Sequence, residues 1–291
     1  MHDEKLTPAY KAPPGACDTH FHVFGPLDKY PVAERSRYEP PYAPLDEYVE
    51  LAKTLGIERM VFVQPSAYGT DNTYMLESMA KVGVPCRGIV DIDEDAPDAL
   101  IESLHAQGVR GVRINTSPIA PYDAARPAAL EKRVRTLERR TKHLGWLLEF
   151  LGPAWLTRAM MPLMRELEMD YILCHIGMFL AKDGPRQPGF EDMIELARAG
   201  RCWLKLTGPY RFAEAPEFAG SAEMVRALTQ AVPDRLIWGT DHPHLSFADK
   251  VGSIGLFNLL GQWIPDEAVR RKVLADNPAR LFGFDNSGKV R

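Results

Sequence analysis

Short apolar runs alternate along the whole chain with longer segments in which apolar residues recur three and four positions apart. The runs lie at 16–23, 59–64, 86–92, 109–115, 145–151, 171–175, 202–207 and 236–241. They are rich in β-branched and aromatic residues, and several are almost continuously hydrophobic, as strands covered on both faces must be. The helical spacing predicts helices over 45–55, 73–82, 97–107, 126–143, 156–168, 191–199 and 221–231. Gly56, Gly83, Gly108, Gly145 and Gly200 fall near the ends of these helices, where a left-handed stop is commonly glycine. Eight strands with intervening helices predict an α/β fold, a (β/α)8 TIM barrel in a single domain, with a doubly wound open sheet as the alternative. Residues 1–15 then form an extended N-terminal arm, 16–284 the barrel and 285–291 a C-terminal tail.

Two connections are long, 24–44 after the first strand and 208–220 after the seventh. Both fall on the C-terminal face of a barrel, where long loops form lids or specificity walls. The first carries Tyr30, Tyr38 and Tyr42 among five prolines, which stiffen it. The helix at 126–143 is strongly basic, but its apolar stripe marks it as a peripheral helix with a solvated charged face.

At 291 residues with 45% hydrophobic and 25% charged residues, the chain has the composition of a soluble globular protein. A net charge of -4 argues against a nucleic-acid partner, because that binding rests on clustered cations. No apolar run is long enough to span a bilayer, and the polar, proline-rich N-terminus lacks the apolar core of a signal peptide. Cys17, Cys86, Cys174 and Cys202 are scattered in or beside apolar runs, as buried free thiols of a cytoplasmic protein would be.

The candidate chemistry sits at strand ends. His20 and His22 alternate on the first strand and project into one space, with Asp18 one step deeper; His175 ends the sixth strand and Asp241 the eighth. A lone strand histidine is usually a satisfied core residue, but two at i and i+2 at a strand's end need partners. Closure of a barrel brings the first and eighth strands together, so Asp241 approaches His20 and His22. Three imidazoles and a carboxylate can hold a metal, or can polarise a carbonyl and activate water without one. His244, three residues on, either bonds within the site or sits in a loop shaped by Pro243.

The segments Ala16-Cys-Asp-Thr-His-Phe-His-Val-Phe-Gly-Pro26, Val109-Arg-Gly-Val-Arg-Ile-Asn115, Trp238-Gly-Thr-Asp-His-Pro-His244 and Asp276-Asn-Pro-Ala-Arg-Leu-Phe282 resemble the amidohydrolase superfamily, in particular its lactonase branch of 2-pyrone-4,6-dicarboxylate lactonase-like enzymes. The resemblance covers nearly all of the chain after the arm. It implies a hydrolase in which Asp241 activates water and His20, His22 and His175 polarise a lactone carbonyl, with no metal cofactor. It also implies that Ser66, Arg113 and Arg211 bind substrate carboxylates, arginine being suited to bidentate pairing. Two further carboxylate-binding arginines of the family correspond to Ile119 and Met178, and a substrate-contacting tyrosine to Leu151. Such a mouth suits a small lactone with fewer carboxylates: a muconolactone-type intermediate of aromatic catabolism, its sulfonated analogue, or a sugar-acid lactone.

Metal-using members add a histidine on the fifth strand or a modified lysine on the fourth, and neither is present here. The acidic residue of the fifth strand, Glu149, is expected to pair with Lys205. The alternative cofactor is zinc on His20, His22, His175 and Asp241, and the alternative reaction is metal-dependent decarboxylation of an aromatic or enol acid.

Overall fold

The structure is a computed structural model that describes residues 6–215 and 218–284; the first five residues of the expected arm and the expected tail, 285–291, lie outside it. One parallel sheet runs in the order β1 to β8, with strands Cys17–Phe21, Arg59–Val63, Cys86–Val90, Val109–Asn115, Leu147–Leu151, Tyr171–Leu173, Cys202–Leu206 and Leu236–Trp238. Helices α1 to α8 follow the strands in turn at Leu45–Leu55, Thr73–Lys81, Asp98–Ala106, Arg126–Thr141, Ala154–Glu166, Phe190–Arg198, Ser221–Ala231 and Ser253–Trp263. This is the single-domain (β/α)8 barrel expected from the alternation. The eighth helix and the short helical segments over 267–282 add to the seven helices read from the sequence.

Alternation along each strand separates two apolar layers. Leu148 and Phe150 of β5, with Leu204 and Leu206 of β7, join the layer packed beneath the helices. Leu147 and Trp203 belong instead to the cluster inside the barrel, which Phe282 and Phe284 share. The next inward positions toward the mouth are Glu149 and Lys205, both fully buried. Below them the apolar cluster is closed by the buried Arg59 and Arg87, which pack over Phe284.

The β1/β8 seam closes in a particular way. Thr19 Oγ1 donates to the Trp238 carbonyl at 2.7 Å, and beyond the end of β8 the Asp241 amide donates to His20 O at 2.7 Å and the His22 amide to His242 O at 2.8 Å. Asp18 fastens the same seam: its carboxylate accepts from the Thr240 hydroxyl (2.6 Å), the Thr240 amide (3.1 Å), the His20 amide (2.9 Å) and the Tyr48 hydroxyl of α1 (2.7 Å). The placement of Asp18 beneath the two histidines, facing the barrel interior, is thus corrected. The β1 register shifts between Asp18 and Phe21, and the carboxylate turns toward four donors at the seam. Gly239 makes the approach possible, since a Cβ there would lie 2.5 Å from the His20 nitrogen.

The described part of the arm is docked. Tyr10 stacks on Phe257 of α8 at 4.3 Å between ring centroids, and Ala9 and Thr7 bond Asn258. The basic faces of α4 are paired, Arg133 with Asp91, Arg135 with Glu131 and Glu166, and Arg140 with Asp98. No helix among the described residues is long and apolar enough to cross a membrane, and the four cysteines form no disulfide.

Gly239→Ala should lower stability by about 1–3 kcal/mol, the usual range for overpacking, as measured by denaturant unfolding. Because the strain falls on the His20 amide, activity should fall along with stability; wild-type unfolding and activity would show that the seam tolerates a wider spacing.

Candidate active site

The three histidines and Asp241 meet at the C-terminal mouth, all essentially buried. His20 and His22 come from β1 and its extension. His175 and Asp241 were expected at strand ends, but β6 stops at Leu173 and β8 at Trp238, and both residues stand on left-handed turns with φ of 51° and 59°. The tight reversal replaces the last strand residues and turns each side chain over the mouth. Gly208, with φ of 53°, lets β7 pass close by: a Cβ there would lie 2.8 Å from both Asp241 Oδ2 and His175 Nδ1.

Asp241 is held from behind. Its Oδ2 accepts from Arg211 Nε and from the Tyr210 hydroxyl, each at 2.7 Å, and Tyr210 also lies 3.0 Å from His244 Nδ1. A carboxylate only accepts, so the tyrosine proton goes to Asp241 and His244 Nδ1 supplies the other hydrogen. His244 Nε2 then accepts from Ser253 at 2.8 Å. His244 therefore serves the site one step removed, by orienting Tyr210. The second oxygen, Asp241 Oδ1, is buried with no hydrogen-bond partner among the described residues, as is His20 Nε2, 3.5 Å away. His22 Nε2 is 3.9 Å from the same oxygen.

Electrostatics fix the charge states. Burial opposes ionisation of Asp241, but Arg211 and then the three imidazoles hold its carboxyl well below the usual range. Burial lowers His20, His22 and His175 to about 3, with the Lys205 charge adding to the effect on His20 and Arg113 to that on His22. At neutral pH the site holds one carboxylate and three neutral rings. His22 Nδ1 lies 2.8 Å from the Val63 carbonyl and His175 Nδ1 lies 3.0 Å from that of Thr207. Carbonyls only accept, so both rings carry hydrogen on Nδ1 and turn bare Nε2 atoms inward.

The expected Glu149–Lys205 pair forms beneath His20. Arg113 lies beside it, its Nη1 donating to the Gln64 carbonyl at 2.6 Å and its Nε 3.7 Å from Glu149. The other expected substrate ligands are less alike than the sequence suggests. Arg211 commits its Nε to Asp241. Ser66 stands on the turn after β2, within 3.4 Å of the Tyr38 hydroxyl, and lines a cavity of about 650 Å3 with Asn115 and Arg133. A second cavity, about 730 Å3, opens beside Tyr210 and Arg211 between the loops after β6 and β7. Leu151 and Met178 join Cys174 in a buried apolar cluster at the mouth, whereas Ile119 is 88% exposed. Arg113 and Arg211 are thus brought to the histidines and Asp241, while Ser66 stands beside Tyr38 on the rim. Tyr210 is the residue the sequence reading missed; its place between Gly208 and Arg211 was the available signal.

Residues 17–284 match the family described as amidohydrolase. The chain is 34% identical over 275 residues to a 4-sulfomuconolactone hydrolase of Hydrogenophaga intermedia, covering 93% of this chain and 89% of that protein. It is 28% identical to a 2-pyrone-4,6-dicarboxylate hydrolase of Comamonas testosteroni, over 94% of this chain and 92% of that one. A Pseudomonas putida structure described as a 2-pyrone-4,6-dicarboxylic acid hydrolase superposes with a TM-score of 0.80 at 32% identity, over 93% of this chain and 98% of that one.

Tyr210→Phe should reduce kcat about tenfold with little change in KM, the loss expected when one hydrogen bond to a charged group disappears. Arg211→Met should move the acid limb of the kcat/KM profile to higher pH, since it removes the cation that most opposes protonation of Asp241 while burial still favours the neutral acid. An unmoved limb would take Arg211 out of that role.

Proposed function

The chain belongs to the amidohydrolase family, and from that premise we propose that it hydrolyses a small anionic lactone, with Asp241 as the base. The observation that carries this reading is the state of Asp241: ionised, clamped through Oδ2 by Arg211 and Tyr210, and left with Oδ1 bare opposite His20. One oxygen lying beside the line between Oδ1 and His20 Nε2 satisfies both atoms. Asp241 takes a proton from water as the water oxygen bonds to the acyl carbon. The tetrahedral adduct then collapses with cleavage of the ring C–O bond, and Asp241 returns the proton to the departing oxygen.

Substrate class follows from the surroundings. Arg113 and Arg211 favour an anionic substituent, and the apolar Leu151–Cys174–Met178 wall favours a ring with few others. A muconolactone-type substrate of aromatic catabolism, or its sulfonated analogue, suits both. The name of the Hydrogenophaga relative supports it.

The rings bear on whether a metal takes part. A metal-free cradle needs inward N–H groups, and the tautomers of His22 and His175 offer lone pairs instead. Those lone pairs, each backed by a carbonyl, fit the manner in which metal-bound histidines are oriented. They support the zinc alternative expected on His20, His22, His175 and Asp241, of which His20, His175 and Asp241 bring ligand atoms within 4.8 Å of one another. Bound there, zinc would supply Lewis-acid polarisation of the carbonyl.

Purified protein should turn over members of a lactone panel that includes muconolactones with and without sulfonate, and release of carbon dioxide in place of ring opening would overturn the reading. Zinc should be found by elemental analysis, and its removal by a chelator should abolish turnover; full activity of metal-depleted protein would return the site to the metal-free form. Asp241→Asn should lower kcat by about a thousandfold or more while substrate binding changes little.

A further inference from the structure

Beneath His20 the barrel encloses an ammonium with three close acceptors. Lys205 Nζ contacts the Glu149 carboxylate at Oε2, the Thr19 carbonyl at 2.8 Å and His20 Nδ1 at 3.1 Å. An ammonium has three N–H donors and no acceptor, so three neighbours take three protons. Lys205 and Glu149 are both fully buried, and no water-facing surface competes for these bonds.

We propose that Lys205 is a positioning residue that fixes the tautomer of His20, making it the ring of the three that presents an N–H to the reacting oxygen. His20 Nδ1 accepts from Lys205, so the proton of the neutral ring resides on Nε2. The other tautomer would turn Nδ1–H toward Glu149 Oε1 at 3.5 Å or Cys174 Sγ at 4.0 Å, both at the outer limit of hydrogen bonding, while setting that hydrogen against the ammonium 3.1 Å away. The three histidines therefore divide the work. His22 and His175, each backed by a main-chain carbonyl, turn lone pairs inward, whereas His20, backed by an ammonium, turns a proton inward. That proton points to where charge develops as the lactone carbonyl is attacked, or to the water that Asp241 activates. The same arrangement explains why His20 Nε2 is a buried atom with no partner among the described residues.

Glu149 has a defined part in this. It holds the ammonium in a buried place, where an unpaired charge would cost several kcal/mol. His20, Glu149 and Cys174 bring ligand atoms within 4.8 Å of one another, a grouping that resembles a cation site. Lys205 bonds to two of these residues, so the cation placed there is one the chain itself supplies.

The inference rests on the lactonase reading for its catalytic meaning, and its test does not. In protein as purified, labelled with nitrogen-15 histidine, protonated and bare ring nitrogens resonate far apart, and His20→Gln assigns the His20 signals by their loss. His20 is expected as the Nε2–H tautomer, with His22 and His175 as Nδ1–H. A wild-type His20 carrying its proton on Nδ1 overturns the proposal, whatever lactone the enzyme opens. The double variant Lys205→Met/Glu149→Gln removes the pair without stranding either charge. Folded by circular dichroism, it should lose the pure Nε2–H signature, and kcat should fall about a hundredfold with KM within about threefold. An unchanged His20 tautomer in that variant also overturns the proposal, and the wild-type spectrum decides the matter if the variant does not fold. Absence of turnover on every lactone would count against the lactonase reading and leave the tautomer result standing.

Discussion

Everything at the mouth depends on how the barrel closes between β1 and β8. The seam is fastened by a carboxylate and a glycine in addition to backbone bonds: Asp18 gathers four donors from β1, α1 and the turn after β8, and Gly239 permits the approach. Burial pushes the Asp18 carboxyl up to about 6, with its hydrogen bonds pulling the other way, so the clasp is assembled against a desolvation cost. What offsets that cost is the number of donors it satisfies. The functional result is direct, because the backbone bond from Asp241 to His20 is itself part of the closure. Asp241 and His20 are neighbours because the seam exists.

Inside that seam the charges are arranged in tiers. Lys205 and Glu149 pair in the dry layer, Arg113 approaches the pair from β4, and Arg211 neutralises Asp241 from the loop after β7. Burial keeps the imidazoles neutral, so their roles are set by which atom backs each ring and not by their charge. A main-chain carbonyl behind His22 and another behind His175 give lone pairs; an ammonium behind His20 gives a proton. Three chemically identical side chains are thereby made different by partners on other strands.

Much of this was legible in the sequence, for identifiable reasons. Strand positions follow from continuous apolar runs, and the convergence of His20, His22, His175 and Asp241 follows from the barrel once eight such runs are counted. The Glu149–Lys205 pair was readable because two inward charges in an apolar interior have little else to bond. Less was readable where the chain leaves regular structure. His175 and Asp241 lie on left-handed turns that alternation does not encode, and the reversal of Asp18 depends on a register shift in β1. Tyr210 escaped notice because its partners, Asp241 and His244, come from a different loop. The second role of Arg211, its Nε bond to Asp241, was not readable because the two residues lie on different loops.

The central claim is that Asp241 removes a proton from water and never bonds to the substrate. Oxygen-18 distinguishes the two most directly. In a single turnover in labelled water, with enzyme in excess over lactone, the account predicts one labelled oxygen in the newly formed carboxylate of the product and none in the peptide that contains Asp241, read by mass spectrometry. Label in the Asp241 carboxylate, with an unlabelled product, would mean that the aspartate attacks the carbonyl as a nucleophile, and would contradict it.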